Sequence, residues 1–192
     1  PQHVDASLGE HLDLQVVEVS ERDAPPGTVP ISWTLVTTES VETAADVARV
    51  VDAYRSRWLI EEYWKSLKTG CSFESRQLEG LDTLVRALAV CIPIAWHMLL
   101  MRNVARDTPA EPAANLLSPL LYQLLVALAQ PPMNRWGFKL SAEPTAGELL
   151  LAVARIGGHL PNNGTTGFIT IRRGLDTLYE LEAGVALLKD AM

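Results

Sequence analysis

The residues best suited to chemistry lie between positions 54 and 68, in the stretch YRSRWLIEEYWKSLK. On an α-helix, at about 100° per residue, four of them fall within about 60° of one another: Tyr54, Arg57, Glu61 and Lys68. Lys65 extends the same stripe. Hydroxyls and cations are common phosphate contacts, and a carboxylate suits Mg²⁺ or Mn²⁺. Apolar residues on the adjoining flank predict a core-facing side made of Ala53, Ile60, Trp64 and Leu67.

The same stripe also fits an ordinary solvated helix face. Charged residues spaced i, i+4 commonly pair along one helix, and Arg57–Glu61 and Glu61–Lys65 both have that spacing. Spacing alone therefore leaves two interpretations open, a functional row and a salt-bridged surface.

The identities of these residues carry a family resemblance. The pattern Tyr54-x-x-Arg57-x-x-x-Glu61-x-x-x-x-x-x-Lys68 resembles the tyrosine–arginine–glutamate–lysine signature of the insertion-sequence-four family of bacterial DDE transposases. Its surroundings are similar to the transposon-five branch, in Arg57-Trp58-x-Ile60-Glu61-Glu62, Trp64-Lys65 and Lys68-Thr69-Gly70. The similarity spans roughly Ala24 to the C-terminus and includes Ala154-Arg155-Ile156-Gly157-Gly158 and Arg173-Gly174.

The resemblance implies a fold and a reaction. Such enzymes have a ribonuclease-H-like catalytic domain, an inserted β subdomain and a helical C-terminal region that pairs two protomers. They cut transposon ends, form a DNA hairpin and transfer strands, using two divalent metals held by two aspartates and one glutamate. The resemblance therefore makes Glu61 the catalytic, metal-binding glutamate, with Mg²⁺ or Mn²⁺ as the cofactor.

The resemblance also assigns DNA contacts. Tyr54, Arg57 and Lys68 would position the backbone of the transposon-end DNA, and Lys65 is a weaker candidate for the same role. Trp33 is similar to a family tryptophan that receives a flipped base during hairpin formation. The alternative for Trp33 is a core tryptophan, and for Trp58 packing is the preferred interpretation.

One departure from the family pattern concerns the two aspartates. In the family they come from strands that precede the inserted subdomain, and the sequence given begins too late to contain them. A lone glutamate cannot hold two metals, so we expect this chain alone to be inactive, with the site completed by aspartates outside it. The alternative function is a non-catalytic, truncated transposase module that dimerises with, or inhibits, a full-length transposase.

Composition bounds the partners. The 192 residues carry a formal charge of -7, which argues against a protein that grips nucleic acid over its whole surface. Any DNA contact should be local. The apolar run Leu84–Met101 is short for a membrane helix and contains Arg86, Pro93 and His97, so we expect a buried core helix and no membrane partner. The expected location is the bacterial cytoplasm, on the nucleoid when the protein acts on DNA.

The elements that must position the row follow from periodicity and breakers. Strands are predicted at His11–Ser20 and Ile31–Thr38, and a helix capped by Thr43 runs into the row with a break near Tyr54. Further helices are predicted at about Asp82–Arg106, Pro119–Ala129, Thr145–Gly157 and Leu175–Ala191. The predicted fold class is therefore α+β, mostly helical.

Together with the resemblance, this order predicts three parts. Residues 1–30 end the inserted β subdomain, 31–106 form the C-terminal part of the ribonuclease-H-like core, and 107–192 form the helical dimerisation region. The last helix carries a heptad-like stripe suited to a partner helix, although intramolecular packing explains it nearly as well. The stripe consists of Leu178, Leu181, Val185, Leu188 and Met192.

Overall fold

The structure is a computed structural model that describes residues 12–190 of the chain. These residues form an α+β, mostly helical protein, as predicted. They divide into two compact units, one ending at Glu61 and one beginning at Glu62.

The first unit is built on a β-hairpin and a helix. Strand β1 (Gln15–Ser20) pairs antiparallel with β2 (Ser32–Thr37), with Val17 opposite Leu35. Helix α1 (Ala44–Ser56) lays Val50 against these two side chains to form a small apolar core. The Thr43 hydroxyl accepts from the Asp46 N–H, and the Asp46 carboxylate accepts from the Thr43 N–H, so the predicted cap is a reciprocal capping box. The start predicted for the first strand, at His11, lies outside the described residues.

The segment predicted as one helix with a break near Tyr54 breaks slightly later, at Arg57. Helix α1 ends at Ser56, Arg57 occupies a turn, and α2 runs from Trp58 to Lys65. A π-helical turn follows at Ser66–Gly70, in which the Cys71 N–H donates to the Ser66 carbonyl at 3.1 Å. Because a π turn adds a residue to the repeat, the 100° arithmetic that placed Lys68 on a common stripe does not hold across it.

The second unit is helical. Its long elements are α3 (Leu81–Asp107), α4 (Pro119–Leu128), α5 (Ala146–Ile156) and α6 (Phe168–Asp190). Thr145 and Glu148 form the capping box that starts α5, and α5 buries seven of its residues. The core contains many fully buried side chains, among them Leu67, Met98, Met101, Leu125, Leu149, Ile171, Leu175 and Leu178.

Helix α6 begins at Phe168, earlier than the predicted start near Leu175. The predicted start lies just after Gly174, and glycine disfavours helix interiors. In the structure Gly174 lies inside α6, where its missing side chain makes room for α5: a Cβ there would lie 1.9 Å from the Val153 carbonyl oxygen. Tertiary packing thus overrides local propensity, and the two stretches that carried the family resemblance, around Gly157 and Gly174, meet at this crossing.

Helix α3 is buried along one side only. Only 28% of its most apolar 18-residue stretch is buried. The buried residues of the helix are Cys91, Ala95, Met98, Leu99 and Met101. The expectation of a buried core helix therefore holds for one face. By length and composition alone α3 could cross a membrane, but this is weak support because the core helix of a protein without a membrane segment passes the same test.

Candidate nucleic-acid and metal site

An aromatic pair joins β2 to the C-terminal end of α1. The rings of Trp33 and Tyr54 meet edge to face, with centroids 5.0 Å apart and planes inclined at 62°. Trp33 also packs beside the small core of the first unit, and it remains partly exposed. Trp33 therefore packs on one side and stays accessible on the rest, and its base-receiving role stays a prediction.

Arg57 extends this aromatic pair with a cation. Its guanidinium carbon lies 5.7 Å from the Tyr54 ring centroid, within the range of a cation–π contact. These residues, with Arg55 and Trp58, line an open cavity of about 280 Å³. We call it the aromatic pocket. It offers ring faces and guanidinium groups side by side, the combination that suits a nucleotide base and its phosphate.

Trp58 was expected to pack, and that expectation is wrong within the described chain. Its side chain is 63% exposed and lines the aromatic pocket. The predicted core-facing side is also wrong for three of its four residues: Ala53, Ile60 (52%) and Trp64 (46%) are exposed. Only Leu67, in the π turn, is buried. Periodicity shows which residues share a side, but it could not show that the described residues supply too few partners to cover it.

Glu61 presents an accessible carboxylate. Its side chain is 52% exposed, and its Oε1 lies 3.5 Å from Arg57 Nη1, an exposed i, i+4 pair. Such pairs contribute about 0–1 kcal/mol, so this one is easily exchanged for another ligand. Arg57 and Glu61 therefore form the salt-bridged pair that their spacing allows, and the Glu61 carboxylate still remains accessible to a ligand.

The adjacent Glu62 is a different kind of residue. Its side chain is only 13% exposed, and its carboxylate lies 3.8 Å from Arg102 and 3.5 Å from Arg106 on α3. This partly buried pairing is structural, and sequence reasoning missed it. The available indication was the i, i+4 spacing of the two arginines.

The two lysines of the row lie beyond Glu61. Lys65 is exposed in the last turn of α2. Lys68 lies in the π turn, where its Nζ is 2.9 Å from Glu74 Oε1, and its side chain is 54% exposed. The structure thus brings Trp33, Tyr54, Arg57 and Glu61 together in the first unit, whereas Lys68 is paired within the second.

The resemblance implies a two-metal site, which needs several carboxylate ligands close together. Between residues 12 and 190, no group of three or more histidine, cysteine, aspartate or glutamate side chains lies close enough to hold a metal ion. Glu61 is a suitable hard ligand for Mg²⁺, but one carboxylate does not make a two-metal site. The described residues therefore do not by themselves fit the pair of cations that the resemblance implies.

Comparison with protein families gives one match that bears on this geometry. Residues 5–95 match the family model described as the transposase DDE domain, a little under half of the chain. The matched range contains the aromatic pocket, Glu61 and Lys68. The match supports a DDE transposase, a class that implies nuclease and transposition chemistry and generally uses divalent metal.

Proposed function

We propose that this chain is the C-terminal portion of a cut-and-paste transposase of the insertion-sequence-four family, transposon-five branch. In this proposal it supplies the catalytic glutamate and dimer contacts for cleavage, hairpin formation and strand transfer at transposon ends. The observation that carries it is the accessible carboxylate of Glu61 beside the aromatic pocket, within the range matched by the transposase DDE domain. The protein would act in the cytoplasm, on nucleoid DNA.

Each pocket residue has a role that its geometry permits. The Arg57 guanidinium and Tyr54 hydroxyl bind backbone phosphates, and Lys68 and Lys65, outside the pocket, bind phosphates of their own. Trp33, partly exposed and held edge to face against Tyr54, offers a surface on which an unstacked base can rest. The weak, exposed pair between Arg57 and Glu61 leaves both side chains free to exchange it for a phosphate and a metal ion.

In this proposal the metal site is shared between Glu61 and residues outside this chain. Two divalent cations would activate the attacking oxygen and stabilise the leaving oxygen of the phosphodiester. Glu61 would supply one ligand, and two aspartates that are not part of this chain would complete the site. This chain alone would then be inactive. Strand β2 and helices α1 and α2 would belong to the end of a ribonuclease-H-like domain, with residues 1–30, 31–106 and 107–192 divided as predicted from the sequence.

The test is Glu61→Gln in the polypeptide that carries this chain in its native form. The amide keeps the size of the side chain but is a poor ligand for Mg²⁺, so DNA cleavage should fall at least about a thousandfold, comparable to other losses of a catalytic group. The thermal midpoint should stay unchanged because Glu61 is exposed. Binding of end DNA should be kept or tighten by up to about fivefold, because the substitution also releases Arg57 from its carboxylate partner. Glu18→Gln, an exposed carboxylate on β1, is the matched control and should cleave normally. Retained cleavage by Glu61→Gln would remove the catalytic assignment.

A second candidate is the truncated module that binds or inhibits a full-length transposase. It is favoured by the lack of a three-carboxylate cluster between residues 12 and 190. The intact mass of the native polypeptide decides between the two candidates. A product that also carries two strand-borne aspartates supports the catalytic proposal. A product without them leaves the module, which should then lower transposition when it is co-expressed with a full-length enzyme.

A further inference from the structure

The second unit contains a cavity of about 250 Å³ that the proposed function does not use. It lies between the turn after the π helix and the first part of α6. Three arginines line it, Arg76 from the turn and Arg172 and Arg173 from α6, together with the backbone around Ser72. We call it the arginine pocket.

The charge in the arginine pocket is unbalanced. Asp176 is the one carboxylate among its lining residues, and its Oδ1 pairs with Arg172 Nε at 2.6 Å. Glu74, nearby in sequence, is paired with Lys68. The pocket therefore holds three cations against one anion, an excess of two positive charges on a chain whose formal charge is -7. Such a concentration in a concave site attracts anions.

The guanidinium groups have hydrogen bonds to spare. Arg172 has only 21% of its side chain exposed, and its Nη1 is buried without an acceptor among residues 12–190. Arg76 makes one long hydrogen bond, from Nη2 to the Cys71 carbonyl at 3.4 Å, and Arg173 is exposed at the rim. Because an arginine carries five N–H donors in a planar fork, these groups can bind phosphate oxygens in pairs.

The backbone of the pocket also favours an anion. Cys71 is in the right-handed helical conformation, with φ of -81°, and Ser72 follows in the left-handed conformation, with φ of 51°. Successive residues in this right-then-left order can form a concavity of N–H groups that binds anions. The Cys71 N–H already donates to the Ser66 carbonyl, so the backbone contribution comes from the N–H groups that follow it. A serine at positive φ is uncommon, so this conformation is held by its surroundings. A water takes about 30 Å³ of liquid, so the cavity has room for a phosphate group and some of its hydration.

We propose that the arginine pocket binds one phosphate group, and that this phosphate belongs to the backbone of bound DNA. The second clause rests on the proposed function, whereas the first does not. The pocket would then be an anchor for DNA in the second unit, additional to the contacts assigned to Tyr54, Arg57, Lys65 and Lys68.

The first arm of the test uses inorganic phosphate and this chain. Amide and arginine side-chain chemical shifts are followed during a phosphate titration at constant ionic strength, set with chloride. Shifts should concentrate at residues 70–76 and 169–176. Arg76→Ala/Arg173→Ala should weaken phosphate binding about tenfold, because two charge-assisted partners are lost. Lys139→Ala/Lys189→Ala removes the same charge from exposed positions in the same unit and should change it less than twofold.

The second arm uses a DNA duplex carrying the transposon end, titrated over a salt series. Loss of one phosphate contact should lower the slope of log K against log salt by about 0.9 in the arginine double variant. The lysine control should leave the slope as it is.

Each outcome tests either the phosphate site or the proposal that its phosphate comes from DNA. If phosphate does not bind in the pocket, or binds equally to the arginine double variant and the lysine control, the site is overturned. If the arginine double variant weakens phosphate binding but leaves the DNA salt slope unchanged, the phosphate site stands. The proposal that its phosphate comes from DNA is then overturned in favour of a free phosphate compound. Neither arm measures cleavage, so a failure of the Glu61 assignment would leave both readouts intact.

Discussion

Glu61 and Glu62 are neighbours in α2, yet their carboxylates have different surroundings. Glu62 is largely buried against two arginines, and removal of its charge would take the carboxylate from the mostly buried Arg102, whereas Arg106 would keep its pair with Asp107. Glu61 faces solvent with a single weak partner. The sequence motif selects Glu61 by identity, and of the two carboxylates Glu61 is the more exposed to solvent. The burial of Glu62 depends on Arg102 and Arg106, which are distant in sequence, and their i, i+4 spacing does not say which carboxylate they meet.

Lys68 gives a prediction at the residue scale. Its ammonium is paired with Glu74 at 2.9 Å, so a DNA phosphate must compete with that carboxylate. Glu74→Gln should therefore tighten binding of end DNA by about two- to fivefold at moderate salt, the range expected when an exposed pair is released. Binding is measured by fluorescence anisotropy with labelled duplex.

Glu79→Gln is the matched control for Glu74→Gln, since it removes the same charge five positions further along the chain. It should change the affinity less than twofold. Equal affinities for the wild type and Glu74→Gln would mean that Lys68 does not contact DNA.

At the scale of elements, local rules predicted helix starts well. Thr43 and Thr145 were identified as helix caps from short-range patterns, and each makes the expected reciprocal hydrogen bonds. The start of α6 and the π turn were not predictable in this way. The first depends on contact with α5 around Gly174, and the second on the buried Ser66, whose hydroxyl donates to the Ala95 carbonyl at 3.0 Å.

The crossing of α5 and α6 gives a prediction about stability. A Cβ at Gly174 would lie 1.9 Å from the Val153 carbonyl oxygen, and one at Gly157 would lie 1.8 Å from the Thr170 carbonyl oxygen. The backbones must separate to admit either methyl group. Gly174→Ala should therefore lower the free energy of unfolding by at least about 3 kcal/mol, the upper end of the usual cost of overpacking. Urea denaturation followed by circular dichroism measures it.

Gly184 provides the matched control on the same helix. A Cβ at Gly184 meets no atom within 4 Å, so the substitution only adds helix propensity. Gly184→Ala should raise the free energy of unfolding by about 0.5–1 kcal/mol. If both alanine variants shift stability in the same direction, the close crossing does not describe the protein in solution.

At the scale of the whole molecule, charge and apolar exposure frame the function. A chain with a formal charge of -7 can bind DNA only where cations gather, and the structure gathers them in the aromatic pocket and in the arginine pocket. The stripe predicted on the last helix divides in the structure: Leu178 is fully buried, whereas Leu181 is 38% and Leu188 67% exposed. Met192 lies outside the described residues. Intramolecular packing thus explains the first turn of the stripe and leaves its later part accessible.

The exposed part of this stripe carries the last prediction, that the chain self-associates through α6. Leu188→Ser should weaken the dimer at least tenfold, because burying a leucine is worth about 1.5–3 kcal/mol. The dissociation constant is measured by sedimentation velocity over a concentration series. Leu160→Ser is the matched control, since Leu160 is similarly exposed, at 61%, but lies off the stripe, and it should leave the constant unchanged. The prediction is wrong if the wild type stays monomeric at every concentration, or if Leu188→Ser leaves the dissociation constant of the dimer unchanged. Either result would show that the exposed leucines of α6 do not join two copies. Equal losses in both variants would point instead to non-specific apolar association.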